Sequence, residues 1–73
     1  MDVAQAFGKV LREVRLEAGL TQEQLGLEAG LRRTFVSLLE LGEQQPTLTT
    51  IIKLSEALGT PPSELIARVE MIL

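Results

Sequence analysis

The stretch Gln22 to Glu43, QEQLGLEAGLRRTFVSLLELGE, decides how this chain folds. Thr21 stands just before it and Gln24 lies three residues on, the spacing of a capping box. In that arrangement the threonine hydroxyl accepts from the Gln24 amide while the glutamine side chain reaches back to the cap. The helix so started is short, because Gly30 interrupts it. A further helix is predicted from about Arg32 to Leu41, closed by Gly42. The chain must reverse sharply at Gly30, in a backbone conformation that a side chain would penalise. Leu25, Ala29, Leu31, Val36 and Leu39 have the spacing to close a small core between the two helices. Gly26 falls where they meet and a small residue is needed.

Outward from this centre the punctuation continues. Upstream, Val3, Phe7, Val10, Leu11 and Val14 form one apolar stripe at helical spacing, and Gly19 is a plausible left-handed stop. Downstream, Glu43 to Pro46 reads as a loop and Thr47 as the N-cap of a fourth helix. Its stripe is Leu48, Ile51, Ile52, Leu54 and Leu58, ended by Gly59. Pro61-Pro62 opens a fifth helix, since proline suits a first helical turn. Its apolar positions are Leu65, Ile66, Val69, Ile72 and Leu73. Five short helices with tight loops, and no strand candidate, predict an all-α bundle. Residues 1–73 form one domain, with the central helix pair at about 21–42 and the last helix at about 62–72.

Composition narrows the function. The chain has 73 residues, 45% of them hydrophobic, and only two aromatics, Phe7 and Phe35. Domains this small bury a modest share of their surface, so the core must be efficient or shared with a partner. Cys and His are absent, which excludes a disulfide framework and argues against a zinc site or histidine acid/base chemistry. There is no Gly-rich phosphate loop and no carboxylate pair on a lined cleft, so no catalytic residue, cofactor, metal or small-molecule substrate is assigned. No apolar run is long enough to span a bilayer, and Met1 to Gln5 lacks the character of a signal peptide. A cytoplasmic location is the expectation.

Two short helices joined by a turn that opens on glycine form a helix-turn-helix unit, although periodicity alone allows any antiparallel helix pair. Three runs bear on that choice: LREVRLEAGLTQEQLGLEAG, RTFVSLLELGEQQPTLTTIIKLSEALG and PSEL. With them the chain from Phe7 to Leu65 resembles the Cro and phage-repressor type of helix-turn-helix regulator, whose fold is the lambda-repressor-like DNA-binding domain. It is particularly similar to the controller proteins of restriction-modification systems, which carry a like Arg-Thr-aromatic-aliphatic-Ser sequence in the recognition helix.

The resemblance implies sequence-specific binding of double-stranded DNA by a homodimer that regulates transcription, the third helix entering the major groove. It places Arg32, Arg33, Thr34 and Leu38 at base edges. Arg33 is the foremost of these, since a guanidinium can pair bidentately with guanine. It places Gln22 at a phosphate-clamping position, where the side-chain amide and free helix N–H groups face one phosphate. Ser37 and Gln44 are further backbone-contact positions. It makes Arg15 and Glu40 a structural ion pair that fixes the angle between helices. For the fifth helix, Leu65 and Ile66 are expected in the core. Val69, Ile72 and Leu73 then either form the dimer interface or fold back on the first helix near Val3 and Phe7.

The chain departs from that pattern in three ways. Arg32 occupies a capping position usually held by Ser, Asp or Thr, and arginine cannot accept the amide hydrogen bond. Leu38 and Leu41 stand where the family often carries polar residues. Acidic residues outnumber basic ones by ten to seven, a net charge of −3, whereas a DNA-binding surface is usually basic. The leucines and the acidic balance keep a second reading open at this point, in which the same fold serves as a protein-interaction module without DNA binding.

Overall fold

Asp2 begins the first helix. Its carboxylate accepts from the Gln5 N–H at 2.8 Å, and the Gln5 side chain accepts from the Asp2 N–H at 3.1 Å, a complete capping box. The computed structural model describes residues 1–73 throughout. It contains α1 (Val3–Glu17), α2 (Gln22–Ala29), α3 (Arg33–Glu40), α4 (Leu48–Leu58) and α5 (Pro62–Ile72), and no strand. Thr21 caps α2 with both bonds of the predicted box, at 3.1 and 2.9 Å. Thr47 caps α4 through the Thr50 N–H at 3.1 Å. Gly30 closes α2 at φ 71°, the left-handed turn that the reversal into α3 requires. No helix is long and apolar enough to cross a membrane.

The core is continuous and draws on every helix. Ala6, Phe7, Val10, Leu11 and Val14 of α1 meet Leu25 and Ala29 of α2 and Val36 and Leu39 of α3; Leu54 and Leu58 of α4 and Leu65 and Val69 of α5 complete it. Helix α1 packs on both α3 and α5, and α2 on α3 and α4. Two glycines make close helix packing possible. A Cβ on Gly8 would lie 2.3 Å from the Leu39 carbonyl oxygen and 2.7 Å from that of Glu40, and one on Gly26 would lie 2.6 Å from the Leu31 carbonyl oxygen. Helix α1 therefore touches the last turn of α3 backbone to backbone.

Several inward assignments need correction. Val3 is exposed, as are Leu48 and Ile52, whereas Ser55 is buried and satisfies its hydroxyl on the Ile52 carbonyl at 2.7 Å. Leu31 packs against the core only half-buried. On α5 the order reverses: Val69, expected beyond the core, is 5% exposed within it, and Ile66, expected inside, is 45% exposed. A turn of helix separates the two outcomes. The side of α5 that packs on α1 runs through Leu65 and Val69, which are four residues apart and so lie above one another.

Candidate nucleic-acid interface

Helix α3 presents its first turn to solvent. Arg32, Arg33 and Thr34 are all exposed, while Ser37 and Leu38 one turn later are half-buried. Arg32 makes no side-chain cap, as its chemistry dictates. The free amides of the α3 N-terminus and two guanidinium groups thus concentrate positive potential at one end of the helix. Leu41, just past the other end, is 65% exposed. Gln44 lies exposed in the loop that leads to α4.

Gln22 and Arg33 come from different helices and line the same open groove. Arg15, Leu16, Leu20 and Thr21 line it with them, between the end of α1 and the start of α2. The N–H groups of Gln22 and Glu23, at the first two positions of α2, have no partner within the helix. The groove therefore brings together a helix N-terminus, a side-chain amide and a guanidinium, the donor types that contact the phosphate and base edges of a duplex.

Beneath the groove lies the ion pair. Arg15 Nε donates to Glu40 Oε2 at 2.6 Å and Nη2 to Oε1 at 2.9 Å, a bidentate pair whose side chains are 9% and 4% exposed. The remaining Arg15 nitrogen, Nη1, donates to the Leu20 carbonyl at 2.9 Å. The hydrogen bonds that Arg15 donates to Glu40 raise its pKa above the ordinary value against the opposing effect of burial, so the guanidinium remains charged. The pair ties the end of α1 to the end of α3 and, through Leu20, to the turn before α2.

Glu40 has a further partner that sequence reasoning missed. Gln22 Nε2 donates to Glu40 Oε1 at 3.0 Å. Eighteen residues separate the two, and nothing in their spacing signals the contact. Gly8 was also missed, since a glycine inside a helical stripe carries no mark of what packs against it. The Asp2 box could have been found, because Asp-x-x-Gln at a helix start has the capping spacing. Glu40 is neutralised internally by Arg15 and adds little to the field at the surface.

On α5, Ile72 is 41% and Leu73 61% exposed, so neither folds fully back on α1. Val3, Phe7, Pro46, Ile51, Ile66 and Val69 line a small apolar recess. Leu48 lies one helical turn before both Ile51 and Ile52 on α4, and Ile52 and Leu48 are 42% and 71% exposed. The recess thus brings together apolar side chains of α4, α5 and the start of α1.

Comparison with known proteins shows the family and the fold. A helix-turn-helix family model matches residues 11–65. The control protein C.BamHI of Bacillus amyloliquefaciens is 39% identical over 61 residues, 82% of this chain and 75% of that protein. The control protein C.SmaI of Serratia marcescens is 37% identical over 68 residues, 93% of this chain and 81% of the relative. Among solved structures, the restriction-modification controller protein C.AhdI from Aeromonas hydrophila superposes with a TM-score of 0.83 at 42% identity, covering 85% of this chain and 94% of that one. The clp gene regulator ClgR from C. glutamicum shares the fold, with a TM-score of 0.95 at 20% identity over all of this chain and 95% of that one.

Proposed function

The chain belongs to the helix-turn-helix family of DNA-binding transcriptional regulators, and on that premise we propose how it reads its site. Two copies bind a two-fold symmetric operator, each placing α3 in the major groove with recognition helices about 34 Å apart, one turn of duplex. One observation carries this reading: the exposed Arg32-Arg33-Thr34 turn shares a groove with Gln22 and the free amide end of α2. Arg33 reads a guanine edge, Thr34 meets a thymine methyl or a phosphate, and Arg32 adds charge at the groove. Gln22 and the first amides of α2 hold a phosphate. Gln44, exposed in its loop, serves as a further backbone contact. Ser37 and Leu38, half-buried, supply only the inner edge of the surface. Leu38 of α3 packs on thymine methyls, and Leu41, just past the helix, projects beyond the base-reading turn.

Arg33→Ala should lower affinity for the selected operator about 5- to 150-fold, the value of one bidentate base contact. Its effect on random-sequence DNA should be much smaller. Fluorescence anisotropy at one fixed salt concentration checks this. An equal loss on both DNAs would make Arg33 a phosphate contact and remove it from base reading.

The dimer forms through the apolar face of α4 and α5, with Leu48, Ile52, Ile66, Ile72 and Leu73 meeting their counterparts. Val69 supports this face from within the monomer core. Ile52→Glu with Ile66→Glu alters two exposed positions, where substitutions cost little stability. The variant should stay folded and run as a monomer at micromolar concentration by light scattering. A mass unchanged from the unaltered protein would rule this face out.

A further inference from the structure

We infer that Glu40 is a positioning residue for the phosphate clamp: it fixes the Gln22 amide before DNA arrives, so that Gln22 meets the duplex as a preset donor. The inference rests on the reading above in which Gln22 contacts a phosphate.

A glutamine side chain is ambivalent, with an acceptor edge and a donor edge that exchange places when the amide flips. Toward a phosphate only the donor edge attracts. An ionised carboxylate can only accept, so Glu40 Oε1 admits the Nε2 edge of Gln22, at 3.0 Å. One amide hydrogen is then occupied and the second has no partner in the protein. That second N–H sits at the start of α2, where the backbone N–H groups of Gln22 and Glu23 also lack helix partners. Side-chain donor and helix amides then act on one oxygen, with the glutamine rotamers already frozen in the free protein.

A carboxylate beside a phosphate would ordinarily repel it. Here Arg15 takes both carboxylate oxygens in its bidentate pair, at 2.6 and 2.9 Å, and the Glu40 side chain is 4% exposed. Glu40 keeps its accepting geometry while its charge is compensated. The same ion pair that joins α1 to α3 thus also sets the phosphate contact of α2.

A double-mutant cycle tests this, because replacing a buried ion pair by apolar residues of similar size is often neutral for stability. In the unaltered protein, Gln22→Ala should weaken operator binding about tenfold, as expected for a hydrogen bond to a charged group. In the Arg15→Met/Glu40→Met background, confirmed as folded by its melting transition, the same change should cost less than about twofold. A tenfold loss in both backgrounds would overturn the positioning role while leaving the phosphate contact intact. No loss in the unaltered protein would instead remove the phosphate contact itself, and the inference with it. A second measurement needs no variant. The Gln22 side-chain amide should show an NMR order parameter close to that of the rigid backbone, in contrast to Gln44, whose side chain has no partner. Averaging of Gln22 to the level of Gln44 would contradict the preset donor.

Discussion

Gly8→Ala lowers the melting temperature by about 12 °C or more. In an exposed helix interior the same exchange raises stability by about 1 kcal/mol, since alanine is the better helix former. Here the added methyl has nowhere to go. Its nearest neighbours are the carbonyl oxygens of Leu39 and Glu40, at 2.3 and 2.7 Å, and both are backbone atoms in the last turn of α3. Relief requires α1 and α3 to separate, and overpacking of this kind costs about 3 kcal/mol at the upper end of its usual range. Small domains are stable by about 5–15 kcal/mol in total, and in a chain of this size each kcal/mol shifts the melting point by about 4–8 °C. The separation also pulls Arg15 away from Glu40, because Arg15 lies two turns further along the same face of α1. Circular dichroism melting decides the matter. An unchanged or raised melting temperature would show that the approach of α1 to α3 is looser than described.

Arg15→Met costs about 3–5 kcal/mol, because it leaves the Glu40 carboxylate buried without its counter-charge. Two further bonds are disturbed: the Leu20 carbonyl loses its donor, and the Gln22 amide then faces an uncompensated charge. Adding Glu40→Met restores most of the stability, since neither charge then remains buried. Urea unfolding of the two variants separates this account from a simple loss of packing. If Arg15→Met lowers stability by no more than an exposed substitution, within about 0.5 kcal/mol, the pair does not hold the helices together. If the second substitution fails to recover stability, the cost lies in the arginine stem and not in the stranded charge.

These two residues also show where the sequence stops speaking. Helix limits were legible because their causes are local. Thr21 and Thr47 cap within three residues of themselves, Gly30 and Gly59 take left-handed backbone where each helix ends, and Pro62 begins α5. Arg15 and Glu40 were legible only through family resemblance, as were Gln22 and Arg33. What a stripe of apolar residues does not reveal is the angle at which its helix is turned. Ile66 and Val69 both sit on the apolar side of α5, and a modest rotation set by packing on α1 sends one inward and the other to solvent. Leu48 and Ile52 on α4 follow the same logic. Gly8 and the Gln22–Glu40 bond belong to a third kind, in which the meaning of a residue lies wholly in a partner distant along the chain.

The exposed apolar residues have one physical consequence in common. Ile52, Ile66, Ile72 and Leu73 are all exposed, and in the proposed dimer a symmetric second copy would cover them while setting the spacing of the two α3 helices. In the proposed dimer, assembly and DNA reading would be coupled through α4 and α5. The modest number of cations at each half-site makes that coupling matter more, because few counterions are released on binding.

Selection of bound fragments from a genomic DNA pool, with salt dependence followed for the recovered sites, shows whether the first turn of α3 reads DNA sequence. A two-fold symmetric sequence with half-sites one helical turn apart should be recovered, and lost with Arg33→Ala/Thr34→Ala. Absence of enrichment over random DNA at low salt, or recovery unaffected by that double substitution, would contradict the assignment of the α3 N-terminus as the reading surface.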